Sequence, residues 1–193
     1  MIRTRDDLNK YLRADAASNG RNRIRPSIFG DEIWKFIISL RKLEYYENQI
    51  GWRRWLTLLP RLIWKFRYHK LSVVLNYTIP VNVADKGFSI AHYGTIVIAK
   101  TARIGKNCRI HEGVTIGSTN GSRESASIGD NVFIASGAKI IGDVTIADDV
   151  AIGANAVVTK SILERGTTWG GVPAQKISNN DSRGNLCVTI LPE

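Results

Sequence analysis

Two histidines and a carboxylate stand where a proton could be moved. His92 lies in the run Ala91-His92-Tyr93-Gly94-Thr95, and His111 is followed directly by Glu112. An alcohol is a poor nucleophile until a base removes its proton. Histidine, whose ordinary pKa is about 6.5, can do that near neutral pH. A carboxylate beside a histidine can hold one imidazole tautomer, the role open to Glu112. The third histidine, His69, sits among Trp, Leu and basic residues and is read as structural. Cys108 and Cys187 are too few for a disulfide framework or a cysteine-based zinc site, and they fit a reducing cytoplasm. No metal is expected.

The elements that must position these residues show in the second half of the chain. Ile98, Ile104, Ile110 and Ile116 are spaced by six, and the same register resumes at Ile128, Ile134, Ile140, Ile146, Ile152 and Val158. Two residues before most of them stands a small or aliphatic side chain, such as Ala102, Cys108, Val114, Ala138 or Ala156. One residue after stands, in most cases, Gly or Ala. A helix repeats at 3.6 and a strand at two, so a period of six is neither alone. It is the mark of a chain that turns a corner every six residues, with each aliphatic side chain inside a narrow prism of about 18 residues per coil. On that count His92 holds an aliphatic position, six before Ile98, and stacks on Ile110 with His111 beside it. A polar residue there marks the coil as open. The segment from Gly117 to Ser127 is rich in Gly, Ser and Asn and reads as a loop, with Ser122 the one break in the register.

The first half lacks this period. Asp31 to Leu40, preceded by Gly30, reads as an amphipathic helix. Trp52 to Leu75 resumes helical spacing, with Pro60 as a boundary or kink. The expected organisation is mixed: a helical N-terminal domain over 1–77, a parallel β-helix over 78–178, and a loop-like tail over 179–193 in which 186–191 could form a last strand.

The formal net charge is +10 over 193 residues, and residues 51–77 carry six Lys/Arg and no acid. Such a surface suits nucleic acid, anionic lipid or an anionic substrate. In residues 52–75 the basic side chains interleave with Trp, Leu and Phe, the composition of an interfacial helix, so peripheral membrane contact is one reading and packing within the protein the other. No apolar run is long enough to span a bilayer and no signal-peptide core follows Met1, so the expected location is cytoplasmic, with peripheral contact at the inner leaflet left open. No nucleic-acid motif is visible.

The run Ala91 to Ile98, the repeats, and the turn Gly170-Gly171-Val172-Pro173-Ala174 together resemble the serine acetyltransferase-like hexapeptide-repeat acyltransferases. The likeness is closer still to those that acetylate bacterial surface polysaccharides. It covers 78–178 well and the helical half only in layout. It implies a left-handed parallel β-helix, acetyl-CoA as donor, and a homotrimer whose active sites lie between neighbouring coils, with trimers able to pair through the helical half. It further implies His92 as general base; the stacking of His111 and Glu112 beside it, with Tyr93 and Arg123, makes these four the residues expected around the acceptor. Gly117, Ser118, Ser136, Gly153, Ala154, Lys160, Gly171 and Lys176 fall to coenzyme A.

The departures from the family pattern fall on the acceptor side. Ala91 replaces the Asp before the base, and Tyr77 or Thr78 replaces an upstream Asp. The Arg-His pair that holds the serine carboxylate is replaced by Glu124 and Ser125. The tail ends Leu191-Pro192-Glu193 rather than in the Ile that docks into cysteine synthase, so that partner is not expected. The expected activity is therefore O-acetylation of a sugar hydroxyl of a surface polysaccharide or its precursor. Serine O-acetylation is the alternative, and a non-catalytic β-helical scaffold or basic binding module the second.

Overall fold

The period-six aliphatics line the inside of a three-sided coil. In this computed structural model, whose described residues are 1–119, 121 and 124–187, short parallel strands stack on three faces. One face carries Tyr77–Thr78, Ile96–Ile98, Thr115–Gly117, Lys139–Ile141 and Val157–Val158. The second carries Arg103–Ile104, Ser127–Ile128 and Thr145–Ile146. The third carries Ser89–Ile90, Arg109–Ile110, Phe133–Ile134, Ala151–Ile152 and Thr168–Gly170, closed by the antiparallel Gln175–Ser178. Ile98 on Ile116, Ile140 on Val158 and Ile134 on Ile152 keep the predicted 18 residues per coil, whereas Ile116 on Ile140 and Ile110 on Ile134 are 24 apart. All of these are buried, each contributing about 1.5–3 kcal/mol by removal from water.

Three details differ from the simple count. First, Ile104 likewise pairs with Ile128, 24 residues on, so the excess over the simple count falls between Ile116 and Ile128. Second, the coil continues past Val158 through shortened steps, with Ile162 bridged to Ile146 and Trp169 paired with Ile152. Third, the first coil is longer than the others. Ile90, not His92, pairs with Ile110. The added residues fall between Ile90 and Ile98, at the corner that carries His92.

The corners follow a side-chain logic of their own. Asn107, Asn131 and Asp149 all take positive φ, which Asn and Asp tolerate better than most residues. They stack one per coil. Asn107 Nδ2 donates to Asn131 Oδ1, and Asn131 Nδ2 to Asp149 Oδ1, each at 2.9 Å. Arg165 closes the ladder on Asp149 at 2.6 Å.

Four helices precede the coil: α1 (Arg5–Ser18), α2 (Glu32–Glu47), α3 (Trp52–Leu56) and α4 (Leu58–Leu75). Thr4 and Asp7 form a reciprocal capping box at the start of α1. Pro60 falls in the first turn of α4, where its missing N–H costs nothing, so it marks a boundary and not a kink. α1 covers the open edge of the first coil. Asn19, just past its end, donates to the Phe88 carbonyl at 3.0 Å and accepts from the Ile90 N–H at 3.2 Å. His69 is exposed on α4. Arg123 and residues 188–193, which include most of the strand expected over 186–191 and the final Leu191-Pro192-Glu193, lie outside the described residues. Leu186 and Cys187 are not in a strand.

Candidate active site

The enlarged first corner places His92 at the surface, two residues beyond the Ile90–Ile110 pair. This corrects the expectation that His92 stacks on Ile110. It now lies against His111 and Glu112. The two imidazole rings meet edge to face with centroids 5.3 Å apart. One donor atom from each of His92, His111 and Glu112 lies within 4.8 Å of the others.

Several neighbours fix this geometry. Tyr77, in the first strand of the coil, donates its hydroxyl to the His92 carbonyl at 2.8 Å and so holds the corner's backbone. Gly94 has φ 132, and a Cβ there would come within 2.9 Å of Glu112 Cβ. Only glycine lets the corner lie this close to the next coil. His111 is wedged between His92 and the Phe133 ring, whose centroid is 5.0 Å away. Ser136 Oγ lies 3.4 Å from His111 Nδ1. Tyr93 turns away from the cluster: it is 58% exposed, and its hydroxyl donates to Glu32 Oε2 of α2 at 3.2 Å.

The electrostatics are those of a half-buried polar cluster. Burial pushes the His111 pKa down, helped by Arg109 and His92 and opposed by Glu112. The Ser136 hydroxyl, with Glu112's own backbone N–H, holds the Glu112 carboxyl below its ordinary value. One Glu112 oxygen, Oε2, is buried with no hydrogen-bond partner among the described residues. It is free to accept from a neighbouring imidazole N–H. The donor set of two imidazoles and a carboxylate is also one that can hold a divalent transition metal.

The His111 shift has a direct check. Its ring is expected to titrate below the ordinary 6.5 in an NMR pH series, and Arg109→Ala is expected to move the midpoint upward. A midpoint above 6.5 in the unaltered chain would contradict this. The folded chain binds this proton less tightly than the unfolded chain does. The stability that His111 contributes is therefore present above 6.5 and is lost as the pH falls from there through the lower folded value.

Residues expected at coenzyme A divide into two groups. Ser136 belongs to the His111 cluster, and Ala154 follows on the next coil of the same corner, where the Asn155 N–H donates to the Ser136 carbonyl at 2.9 Å. Gly171 continues that edge: its carbonyl accepts from the Val157 N–H at 3.0 Å. One prism edge thus runs from the histidines past Ser136 and Ala154 to the Gly-Val-Pro-Ala turn. Gly153 approaches the coil above, its N–H donating to the Trp169 carbonyl at 2.7 Å. Gly117, Ser118 and Lys160 belong to the next corner, away from that edge, and Lys176 is engaged by Glu164 at 2.5 Å. Glu124 is exposed, and Ser125 is buried. The residue that sequence reasoning did not assign to the site is Tyr77. A partial signal was present, because Tyr77 or Thr78 stands where the resemblance expects an upstream Asp.

Known proteins carry the same architecture. The bacterial transferase hexapeptide family (six repeats) matches residues 125–160. A serine acetyltransferase of Staphylococcus xylosus is 32% identical over 186 residues, which is 94% of this chain and 79% of that protein. The crystal structure of serine acetyltransferase from Brucella abortus superposes with a TM-score of 0.66 at 23% identity, covering 92% of this chain and 70% of that one. A serine acetyltransferase solved in complex with CoA gives 0.64 at 23% identity, covering 89% and 68%. The repeats and these neighbours give the coil its hand, a left-handed parallel β-helix. The relatives' names speak of serine. They lend no support to the sugar acceptor expected from the sequence.

Proposed function

From the premise that the chain belongs to the serine acetyltransferase family of hexapeptide-repeat acyltransferases, we propose that it transfers the acetyl group of acetyl-CoA to the hydroxyl of serine. The observation that carries the chemistry is the cluster of His92, His111 and Glu112 at the open first corner. His92, exposed and at the mouth of the cluster, takes the proton of the acceptor hydroxyl. The oxygen attacks the thioester carbonyl, a tetrahedral intermediate forms, and its collapse breaks the C–S bond. The departing thiolate takes the proton back from the His92 imidazolium, which leaves free CoA, the acetyl ester and a neutral base. His111 and Glu112 orient the base and the incoming hydroxyl in the role that the absent Asp plays elsewhere in the family.

Acetyl-CoA lies along the edge formed by Ser136, Ala154 and Gly171, with its reactive end at the histidines. A neighbouring coil closes the groove, which makes a homotrimer the working unit. No helix among the described residues is long and apolar enough to cross a membrane.

A second reading is supported by the acceptor side itself. Where the family pattern holds the serine carboxylate with Arg and His, this chain has Glu124 and Ser125, an acid and a neutral residue. A sugar hydroxyl carries no carboxylate and needs no such cation. Thiol release from acetyl-CoA separates the two readings. Stimulation by L-serine well above the acceptor-free rate is the expected result. Stimulation by sugars with none by serine would transfer the proposal to the second reading. Release stimulated by neither would remove both.

A further inference from the structure

Helix α4 packs one face on the body of the protein and presents a second apolar face to solvent. Trp64, Tyr68, Leu71 and Leu75 face inward. Leu59, Leu62, Ile63 and Phe66 repeat at i, i+3, i+4 and i+7 on the opposite side, and all are exposed, Leu59 and Phe66 at 69% each. In α3, Trp52 and Trp55 are 69% and 80% exposed. Helical geometry puts Arg61 and Lys65 on one flank of the apolar stripe and Arg67 and Lys70 on the other.

A groove of about 920 Å³ opens beside the second flank. Its floor is apolar, with Leu8, Leu12, Ile38, Trp64 and Leu71. Its walls carry Arg5, Arg25, Lys35, Lys42, Arg67 and Lys70, and no acidic residue lines it. Lys35 is engaged by Glu32 at 3.7 Å, whereas none of the other five cations forms an ion pair among the described residues. Lys42 and Arg67 share one aromatic ring, at 4.3 and 5.1 Å from the Trp64 centroid. The groove is therefore an unneutralised positive site over an apolar floor.

Two occupants could cover this face, a second copy of the chain or an anionic surface. A two-fold contact of α3 and α4 with themselves would set six cations against six, with no acid anywhere in residues 51–77 to relieve them. An anionic bilayer supplies the missing charge and accepts the exposed Trp, Leu and Phe at its headgroup boundary. We propose that α3, α4 and the adjoining groove dock on a bilayer containing anionic phospholipid, with the apolar stripe at the headgroup–acyl boundary and a lipid phosphate in the groove. This docking is independent of the reading of the active site.

The full chain is tested by co-sedimentation with vesicles of phosphatidylcholine alone or mixed with phosphatidylglycerol. Pelleting only with the mixed vesicles, and its loss at about 1 M salt, where the screening length is about 3 Å, is expected. Leu62→Ser/Phe66→Ser should abolish binding. Arg67→Gln/Lys70→Gln, which leaves the stripe intact and serves if the first pair misfolds, should weaken it roughly 30-fold. Inorganic phosphate in excess should not displace the protein; displacement would mean a soluble phosphate ligand and overturn the lipid. No pelleting at low salt would overturn the proposal, as would equal binding to neutral vesicles. A change of oligomeric state in Leu62→Ser/Phe66→Ser, seen by sedimentation equilibrium without any vesicle binding by the parent, would assign the face to a second copy.

Discussion

Replacing His92 with asparagine is expected to lower kcat for acetyl transfer by about 10²–10⁴-fold, the usual range for loss of a general base. The KM for acetyl-CoA should move little, because the donor's edge starts at Ser136 and runs away from His92. Asparagine keeps a polar side chain of similar reach but cannot take a proton, so the variant isolates the chemical step. The usual objection, that the protein has merely been damaged, is weak here. His92 is exposed, and its corner is held through its own backbone carbonyl by Tyr77 and through Gly94 against Glu112. None of these contacts uses the imidazole, whose ring meets only the edge-to-face His111 ring, so the melting temperature should change little. A thiol-release assay reads the loss. Equal activity in His92→Asn would remove the base assignment. A larger loss in His111→Asn than in His92→Asn would exchange the roles of the two rings.

How far this site could be read from the chain alone depends on what its residues do inside the coil. One aliphatic per face is a strict steric demand of a narrow prism, so the rungs from Ile98 to Val158 stand out as a period. The first corner obeys no such demand. Ile90 and Ile96 are also six apart, and Ile96 and Ile98 both point inward because alternate residues of one strand share a side. The chain thus offers two phases over the same stretch. Counting back from Ile98 puts His92 on a rung that belongs to Ile90. His92 meets the His111–Glu112 step in either phase, because the corner falls on the same edge of the prism. The repeat position of Ser136 says nothing of which way its hydroxyl turns, so its approach to His111 does not show in the spacing. The Asn107–Asn131–Asp149 ladder was legible in principle, each member standing three residues before a third-face isoleucine.

The helical half was less legible because less of it is dictated by apolar spacing. α1 carries its capping signature in Thr4-Arg5-Asp6-Asp7, yet its buried face holds only Leu12, Asp15 and Ala16. A buried aspartate reads as polar surface until its partner is known. Asp31, expected inside the helix, precedes α2 at φ 63 and makes no side-chain cap. Its carboxylate is taken by Arg21 at 2.6 Å, which holds it well below the usual carboxylate range.

That partner for Asp15 is Arg41, and removing it is the substitution with the largest expected effect on stability. Arg41 is fully buried on α2. Its Nε donates to Asp15 at 2.7 Å, one terminal nitrogen donates to Glu44 at 3.0 Å and to the Ala84 carbonyl at 2.8 Å, and the other donates to the Asp85 carbonyl at 2.7 Å. Asp15 in turn accepts the Gly87 and Phe88 N–H groups at 2.7 and 2.9 Å. One guanidinium therefore ties α1 and α2 to the segment that enters the His92 corner. Arg41→Met fills similar volume but leaves two buried carboxylates without a cation and two carbonyls without a donor. Breaking a buried ion pair from one side costs about 3–5 kcal/mol. In a chain of this size that lowers the melting temperature by roughly 6–20 °C. The pH dependence separates this cause from a packing defect. Burial already pushes the Asp15 and Glu44 carboxyls up, against the pull of Arg41. Without Arg41 they rise further above their unfolded values, so the folded variant binds more protons than its unfolded form. The stability so regained is fully present below the unfolded carboxyl pKa and is lost as the pH rises through the folded value. The deficit of Arg41→Met measured by thermal or urea unfolding should shrink at pH 5 relative to pH 8. A deficit that is small, or the same at both pH values, would mean that the guanidinium does not hold the helices to the coil in this way.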